Sequence, residues 1–399
     1  MSLELSKKAM EVKPSSTLAI TAKAKKMKAE GKDIVGFGAG EPDFATPENI
    51  CLAAKRAIDD GFTKYTPAAG TVELRKAISD KFKKFNHLDY EIDQIVVSNG
   101  GKHSLTNVFE ASLNPGDEVI IPAPFWLSYP EMVKLCGGVP VFVECTAAQD
   151  YKITAEQLDK AVTDKTKAVV LNSPNNPTGM IYTKDELEKI AEVVVKRDIY
   201  VIADEMYEYL VYDGNDFVSI ASLNEEIYKR TITCSGLSKS YSMTGWRIGY
   251  AGASKEIAKL MSSVQSHQAS NPNSIAQAAA VEALNGPQTA PEKMRLEFDK
   301  RRKYMHERIS KMPLVSAIKP QGAFYVFIDF SGAFGKTYKG EKIDDIGRIA
   351  QILIDDYLTA VIPCKDFGAP KNIRLSYAIS REDIEKGLDR IESFLNELN

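Results

Sequence analysis

Lys239 stands in the run Ser235-Gly236-Leu237-Ser238-Lys239-Ser240-Tyr241-Ser242, just past the apolar stretch 231–234, and Arg247 follows eight residues later at the head of a second apolar stretch. An amine set among hydroxyls at the end of a buried strand suits imine formation with a carbonyl, and a nearby arginine suits a phosphate. Surface lysines far outnumber catalytic ones, so position 239 gains meaning only from what the rest of the chain brings to it. The stretch 95–98 runs into Asn99-Gly100-Gly101-Lys102. A glycine pair at a helix start turns backbone N–H groups and the helix dipole toward an anion, although a tight turn accounts for the same residues.

Three more segment ends and one strand interior carry similar signals. The stretch 168–171 leads into Asn172-Ser173-Pro174-Asn175-Asn176-Pro177-Thr178-Gly179, a turn in which an asparagine amide could also donate to an oxygen on a ring or a carboxylate. The stretch 200–203 leads into Asp204, with Tyr207 three residues on. A carboxylate at the end of a buried strand demands a cation, and either a pyridinium nitrogen or a structural ion pair would serve. Trp126, past 118–121, offers a flat face for a ring or for core packing. Arg374 interrupts the apolar run 372–376 and presents a two-pronged fork for a carboxylate, or a sheet-surface salt bridge. Phosphate, ring, carboxylate and imine chemistry gathered at strand ends define a cofactor pocket, because open α/β sheets bind ligands beyond the carboxyl ends of their strands.

Positioning these groups takes an α/β core. Short runs at 95–98, 118–121, 140–144, 168–171, 200–203, 231–234 and 247–252 alternate with amphipathic stretches, which predicts a largely parallel sheet whose strands are buried on both faces. A helix is predicted over 71–85, where Leu74, Ala77, Ile78, Phe82 and Phe85 share a stripe, and another over 183–196, opened by a Thr183–Glu186 capping box. Beyond 286 the texture changes to a charged helix over 287–311, strands at 322–328 and 373–377, and helices over 343–358 and 381–398. That order predicts a smaller α+β domain. The first forty residues are too short for a domain and must pack on something else.

The 399 residues, 44% hydrophobic and 26% charged, suit a soluble globular protein of two domains. A net charge of −3 leaves no basic excess for nucleic acid. Lys23, Lys25, Lys26 and Lys28 read as the wet face of a helix. No apolar run approaches the ~20 residues that cross a bilayer, and Met1–Met10 lacks a signal peptide's apolar stretch. Five cysteines without C-x-x-C spacing indicate neither a disulfide framework nor a zinc site. The four histidines are scattered. A cytoplasmic, metal-independent protein is expected.

The motifs resemble those of the class I pyridoxal-phosphate aminotransferases of fold type I. The likeness runs nearly end to end, through Gly40-Glu41-Pro42-Asp43-Phe44, Lys64-Tyr65-Thr66-Pro67-Ala68-Ala69-Gly70, the N-N-P-T-G run ending at Gly179, Asp204-Glu205-Met206-Tyr207 and the block from Lys239 to Arg247. Lys13-Pro14-Ser15-Ser16-Thr17 matches the K-P-S-x-T of the bacterial aspartate aminotransferases of the prephenate-capable branch. The fold implied is a large domain over 46–286, with a mostly parallel seven-stranded sheet between helices, and a small α+β domain built from 1–45 and 287–399.

The resemblance also implies roles, residue by residue. Lys239 would form the internal aldimine with pyridoxal 5'-phosphate and shuttle the substrate's α-proton. Asp204 would pair with the pyridine nitrogen, Asn176 and Tyr207 would bond the ring oxygen, and Trp126 would stack on the ring. Gly101, Lys102 by its backbone, and Arg247 would face the phosphate, joined by Tyr65 from the other subunit of a homodimer. Arg374 would clamp the substrate α-carboxylate, assisted by Asn176, Trp126 and the Gly40 backbone, while Lys13 and Lys102 would face the distal carboxylate. Ping-pong transamination between aspartate and 2-oxoglutarate, giving oxaloacetate and glutamate, is the implied reaction, with prephenate/arogenate as a further pair.

The same ring-holding residues would serve an aromatic aminotransferase or a β-lyase. A cofactor-binding transcription regulator would need a helix-turn-helix domain, for which the residues before Gly40 leave no room. One departure stands out. Many relatives carry a hydroxyl residue for the phosphate three positions before the lysine, where this chain has Gly236, and Ser235 or Ser238 is expected to substitute.

Overall fold

The computed structural model describes residues 3–399. Its centre is a seven-stranded sheet made of β1 (Ile95–Asn99), β2 (Glu118–Ala123), β3 (Val139–Glu144), β4 (Thr166–Asn172), β5 (Tyr200–Asp204), β6 (Thr231–Gly236) and β7 (Ile248–Gly252). The spatial order is β1-β7-β6-β5-β4-β2-β3. The pairs β3–β2, β2–β4, β4–β5 and β5–β6 are parallel, and only β7 runs against its neighbours. All seven strands expected from the apolar runs are present. The sheet is covered on both faces, by Leu105, Val108 and Phe109 on one side and by Leu187, Ile190, Ala191 and Val194 on the other. The last four belong to a helix, Lys184–Arg197, that starts with the expected Thr183–Glu186 capping box.

Three expectations need correction. Strand β3 is not buried on both faces, because it lies at the sheet edge, with Val139 and Phe142 exposed. Arg247 is not a strand residue. It adopts a left-handed conformation (φ 59°) at the end of a short 3₁₀ turn, and β7 starts one residue later. The helix expected over 71–85 stays α-helical only over Val72–Lys81. It then widens into a π-helical turn, Phe82–Asn86, closed by His87 in the left-handed region.

The later part of the chain forms a four-stranded antiparallel sheet in which β8 (Ser316–Ala317), β9 (Tyr325–Asp329), β10 (Ile362–Pro363) and β11 (Asn372–Ser376) lie in the order β10-β11-β9-β8. The strand expected from 322 begins at 325 because Ala323 is left-handed (φ 58°). Its carbonyl accepts from the Tyr212 and Tyr377 hydroxyls instead of pairing in a ladder. Helices Thr289–Ile309, Ile346–Asp355 and Arg381–Asn396 pack around this sheet. The segment that leads to Gly40 is stitched into the same body. Phe37 N–H donates to the Ala360 carbonyl, and Ser376 N–H donates to that of Phe37.

Gly387 lets the helix Arg381–Asn396 lie directly on Phe37, since a Cβ there would strike the Phe37 ring and the Val35 side chain. An alanine would gain about 1 kcal/mol of helix propensity. It would also cost about 1–3 kcal/mol in overpacking, and in a fully buried site the second effect should win. Gly387→Ala is expected to lower the apparent melting temperature, with partial recovery on adding Phe37→Leu. An unchanged or higher melting temperature for the single variant would refute this packing argument.

Candidate active site

The exits of the parallel strands and the entry of the antiparallel one meet at a single sheet edge, around a cavity of about 260 Å³. After β1, Gly100 turns with φ 87° and a helix starts at Gly101. Its first N–H groups are the ordinary unpaired donors of a helix N-terminus. The packing here is closed to side chains. A Cβ on Gly100 would meet the Arg247 guanidinium, and one on Gly249 would meet the Gly100–Gly101 backbone. Because β7 is antiparallel, its first residues reach the same edge as the other strands' ends. That is how Arg247 arrives beside Gly101, its Nη1 donating to the Thr244 carbonyl at 2.8 Å.

Asp204, at the end of β5, is 5% exposed and lines the cavity. The Tyr129 hydroxyl donates to its Oδ2 at 2.6 Å and the Met206 N–H to its Oδ1 at 3.2 Å. Among the described residues no lysine or arginine forms an ion pair with it, and burial pushes its carboxyl above the ordinary range. Tyr207 exchanges a hydrogen bond with the Tyr325 hydroxyl at 2.9 Å. Asn176 is buried, its N–H donating to Asn172 Oδ1 at 2.8 Å. Lys239 Nζ donates to the Gly40 carbonyl at 2.5 Å. Burial, and then the positive charge of Arg374, push its ammonium down to about 8.

Arg374 is 2% exposed and lies over the Tyr325 ring at 4.3 Å. Its Nη1 donates to Asn176 Oδ1 at 2.9 Å, while its Nε is buried without a partner. Trp126 is half-buried in the same wall, edge-on to Tyr129, with Lys102 Nζ 5.0 Å from its ring centre. Lys102 is pulled below the usual lysine range by burial and by Arg247.

The structure thus brings together Gly40, Gly101, Lys102, Trp126, Asn176, Asp204, Tyr207, Lys239, Arg247 and Arg374 around one cavity. Two other candidates lie outside its wall. Lys13 is exposed, and its backbone N–H donates to Glu131. Tyr65 is 88% exposed. The two serines next to Gly236 diverge. Ser235 turns away to donate to Glu208 at 2.6 Å, whereas Ser238 lines the cavity. A Cβ at position 236 would press on the Ile248 carbonyl and the Met206 methyl, so a side chain there would need those neighbours to give.

Comparison with known proteins establishes the family. The profile of the family described as aminotransferase class I and II matches residues 32–391. The aspartate aminotransferase of Bacillus sp. (strain YM-2) is 51% identical over 382 residues, covering 96% of each chain. The aspartate/prephenate aminotransferase of Cereibacter sphaeroides is 48% identical, again over 96% of each. The chain belongs to the class I and II aminotransferases. Among solved structures, the aspartate aminotransferase of Rhizobium meliloti superposes with a TM-score of 0.96 at 42% identity over the whole of both chains. That of Thermus thermophilus with maleate gives 0.93 at 41% identity, covering 98% of this chain and all of the other.

Members of this family use pyridoxal 5'-phosphate, and the cavity's residues fit that group. A buried acid bonded only by neutral donors suits a protonated ring nitrogen. A helix N-terminus flanked by Arg247, where glycine leaves the backbone bare, suits a phosphate. A partly deprotonated amine suits an aldehyde. Two residues of this aminotransferase site, Tyr129 and Tyr325, escape a reading of the sequence. Each sits in an apolar run, Pro124–Pro130 and Gly322–Ile328, where an aromatic residue reads as core. The only signal was the hydroxyl, which needs a partner when buried.

In the cofactor-free aminotransferase, Lys239 should acylate with a pH midpoint of about 8, against about 10.4 for an ordinary lysine. Below the midpoint the amine is protonated and inert. Competitive labelling followed by peptide mass analysis checks this, and a midpoint near that of the surface lysines would contradict the electrostatic picture.

Proposed function

We propose that this aminotransferase moves the amino group of aspartate to 2-oxoglutarate, releasing oxaloacetate and glutamate in two half-reactions that share one site. The observation that carries the reading is the pairing of cations on the cavity wall, Arg374 for an α-carboxylate and Lys102 for a second one. A four-carbon dicarboxylate matches that pairing. Support comes from the relative named aspartate aminotransferase at 51% identity and from the Thermus thermophilus enzyme solved with maleate, itself a four-carbon dicarboxylate. Prephenate/arogenate is a further pair on the strength of the Cereibacter sphaeroides relative's name.

The chemistry supplied by pyridoxal phosphate is imine exchange with the substrate amine and a ring that takes up the electron pair left by the α-proton. In this reading the chain's own residues do the rest. Arg374 and Asn176 hold the α-carboxylate, and the Gly40 backbone and Trp126 complete that wall. Asp204 keeps a proton on the ring nitrogen. Tyr207 and Asn176 bond the ring oxygen, and Trp126 covers the ring face. Gly101, the Lys102 backbone and Arg247 face the phosphate, with Ser238 as the added hydroxyl. The Lys239 amine takes the proton from the α-carbon and later returns one.

Two wider assignments accompany this. Residues 46–286 form the cofactor-binding domain, and 1–45 with 287–399 form the small domain. The supporting feature is a core that joins Val35 and Phe37 to side chains from Met294 to Leu398, and that also takes in Tyr207, Leu210 and Tyr212 across the boundary. A homodimer with shared sites is supported by the exposed apolar residues Leu52, Ile58, Phe62 and Val72, which flank Tyr65 in the sequence. Tyr65 would then serve the phosphate of the partner. Lys13 precedes Ser15, Thr17 and Leu18, which line the cavity, and it would join Lys102 once that segment closes on substrate. No helix among the described residues is long and apolar enough to cross a membrane.

The test is spectroscopic. Aspartate and glutamate should each convert the yellow holoenzyme to its amine form rapidly, while phenylalanine and alanine should not, and equal conversion by all four would sink the assignment. Lys102→Ala should lower kcat/KM for aspartate about 10- to 100-fold, the range of a lost charge-assisted hydrogen bond. Its effect on alanine should stay within about threefold. Steady-state kinetics with each substrate separate the two.

A further inference from the structure

Behind the cavity, on the far side of the turn that carries Asp204 and Tyr207, lies a second set of buried polar and ionisable side chains. Lys81, Asn86, Glu205 and Glu208 are each 7% exposed or less. Lys81 Nζ donates to Glu208 Oε1 at 2.5 Å and to Asn86 Oδ1 at 2.9 Å. The Asn86 amide donates to Glu205 Oε2 at 2.9 Å and to Glu208 Oε2 at 2.7 Å. Ser219 closes on Glu205, and Ser235 on Glu208, at 2.5 and 2.6 Å. Rings of Phe82, Phe85, Tyr209 and Tyr250 surround the ammonium at 4.9 to 5.8 Å. Two carboxylates thus share a single lysine in the interior.

Such an arrangement is costly, and well-packed apolar side chains would generally be as stable or more so. Its placement suggests what it does. The chain from Asp204 to Glu208 divides its residues between two sides, with Asp204, Met206 and Tyr207 lining the cavity and Glu205 and Glu208 facing the cluster. The backbone of this turn is tied to β6 by the Glu205 N–H on the Cys234 carbonyl, at 2.8 Å. Ser235, on β6 just before the Gly236–Lys239 segment, adds the side-chain tie. The other end of the cluster is the π-helical turn Phe82–Asn86, an irregularity that in helices is frequently found at functional sites. It places Lys81 and Asn86, five residues apart, on the same carboxylates.

We propose that Lys81, Asn86, Glu205 and Glu208 are positioning residues for the transamination. They grip the 204–208 turn from behind and so fix the Asp204 carboxylate and the Tyr207 hydroxyl relative to Lys239. The inference rests on the roles proposed above for those three residues. Burial and the neighbouring Glu208 charge push the Glu205 carboxyl above its ordinary range. The other titratable groups around the cluster are Tyr90, Tyr209, Tyr241, Tyr250, Cys234 and Asp204.

The experiment compares the wild-type holoenzyme with Lys81→Met, Glu208→Gln and Ser235→Ala. Four quantities are read on each: kcat and KM for aspartate, the pH midpoint of the bound cofactor's absorbance, the affinity of the cofactor-free protein for the cofactor, and the melting temperature. Misplacement of Asp204 should lower kcat about tenfold or more with KM within about threefold. It should also move the absorbance midpoint by about half a unit or more, and Lys81→Arg should restore part of both. Ser235→Ala, which removes one hydroxyl, should shift both in the same direction by less. It decides the matter if the other two variants do not fold. Folded variants with wild-type kcat, absorbance midpoint and cofactor affinity, and only a lower melting temperature, would overturn the proposal. A wild-type protein that forms no cofactor adduct would instead overturn the function proposed above.

Discussion

The arrangement of this site follows from one constraint, a carboxylate buried at the end of a central strand. Asp204 lies where water cannot solvate it, and its two protein contacts, Tyr129 and the Met206 N–H, are neutral donors. Burial pushes such an anion toward its protonated form, the Tyr129 and Met206 donors and the Lys239 charge oppose that in part, and a cation supplied from the cavity side would complete the stabilisation. The remaining charges follow the complementary logic. Lys102, Lys239, Arg247 and Arg374 face the same space, so apart from Asp204 its wall is dominated by positive charge. The mutual repulsion of these cations appears directly in Lys239, which Arg374 and Arg247 help to push down. A protonated heterocycle carrying a phosphate, together with a dicarboxylate substrate, offers one cation for the acid and several anions for the bases. Charge balance therefore favours the ligand set that the strand ends suggest.

Much of this was legible because catalytic groups in an open α/β sheet sit where apolar runs stop. Asn176, Asp204, Lys239 and Gly101 each follow such a run, and the turn residues beside them mark the stop. Arg247 was legible as a partner but not in its conformation. Which strand is antiparallel is decided by tertiary packing, and that choice brings the start of β7, rather than its end, to the cavity. The edge position of β3 was hidden for the same reason, since a Val-rich run reads alike in a central and an edge strand. Tyr129 and Tyr325 were invisible because their rings satisfy the core pattern while their hydroxyls do the bonding. The π turn was missed because its apolar stripe continues the helical period through Phe82 and Phe85. What breaks the period is polar, the demand of Lys81 and Asn86 for the buried acids.

Glycine makes the phosphate end possible through absence of bulk. Gly100, Gly101 and Gly249 let β7 lie against the helix start so closely that a methyl group on Gly249 would strike backbone atoms. At Gly236 the same closeness displaces a hydroxyl. The neighbouring carbonyl of Ile248 and the Met206 methyl crowd the place where a Cβ would stand, and Ser235 is already committed to Glu208. Ser238 is the hydroxyl left on the cavity side. A single tight contact between two strands thus bears on which of positions 235, 236 and 238 can address an anion.

The two groups of buried charges differ in a way that separates ligand-directed from self-contained chemistry. Each oxygen of Glu205 and Glu208 accepts at least one hydrogen bond from the protein, and Lys81 has both a carboxylate and an amide oxygen as acceptors. That set is closed, and it gains nothing from an added ligand. On the other side of the same turn, Arg374 Nε is buried without a partner, and Asp204 lacks a cation among the described residues. A buried charge whose hydrogen-bonding capacity is left open loses stability in the empty protein and recovers it on binding. The five residues from Asp204 to Glu208 carry both kinds side by side. A turn anchored by the closed set can hold the open set in place before a ligand arrives, which is what preorganisation of a catalytic site requires.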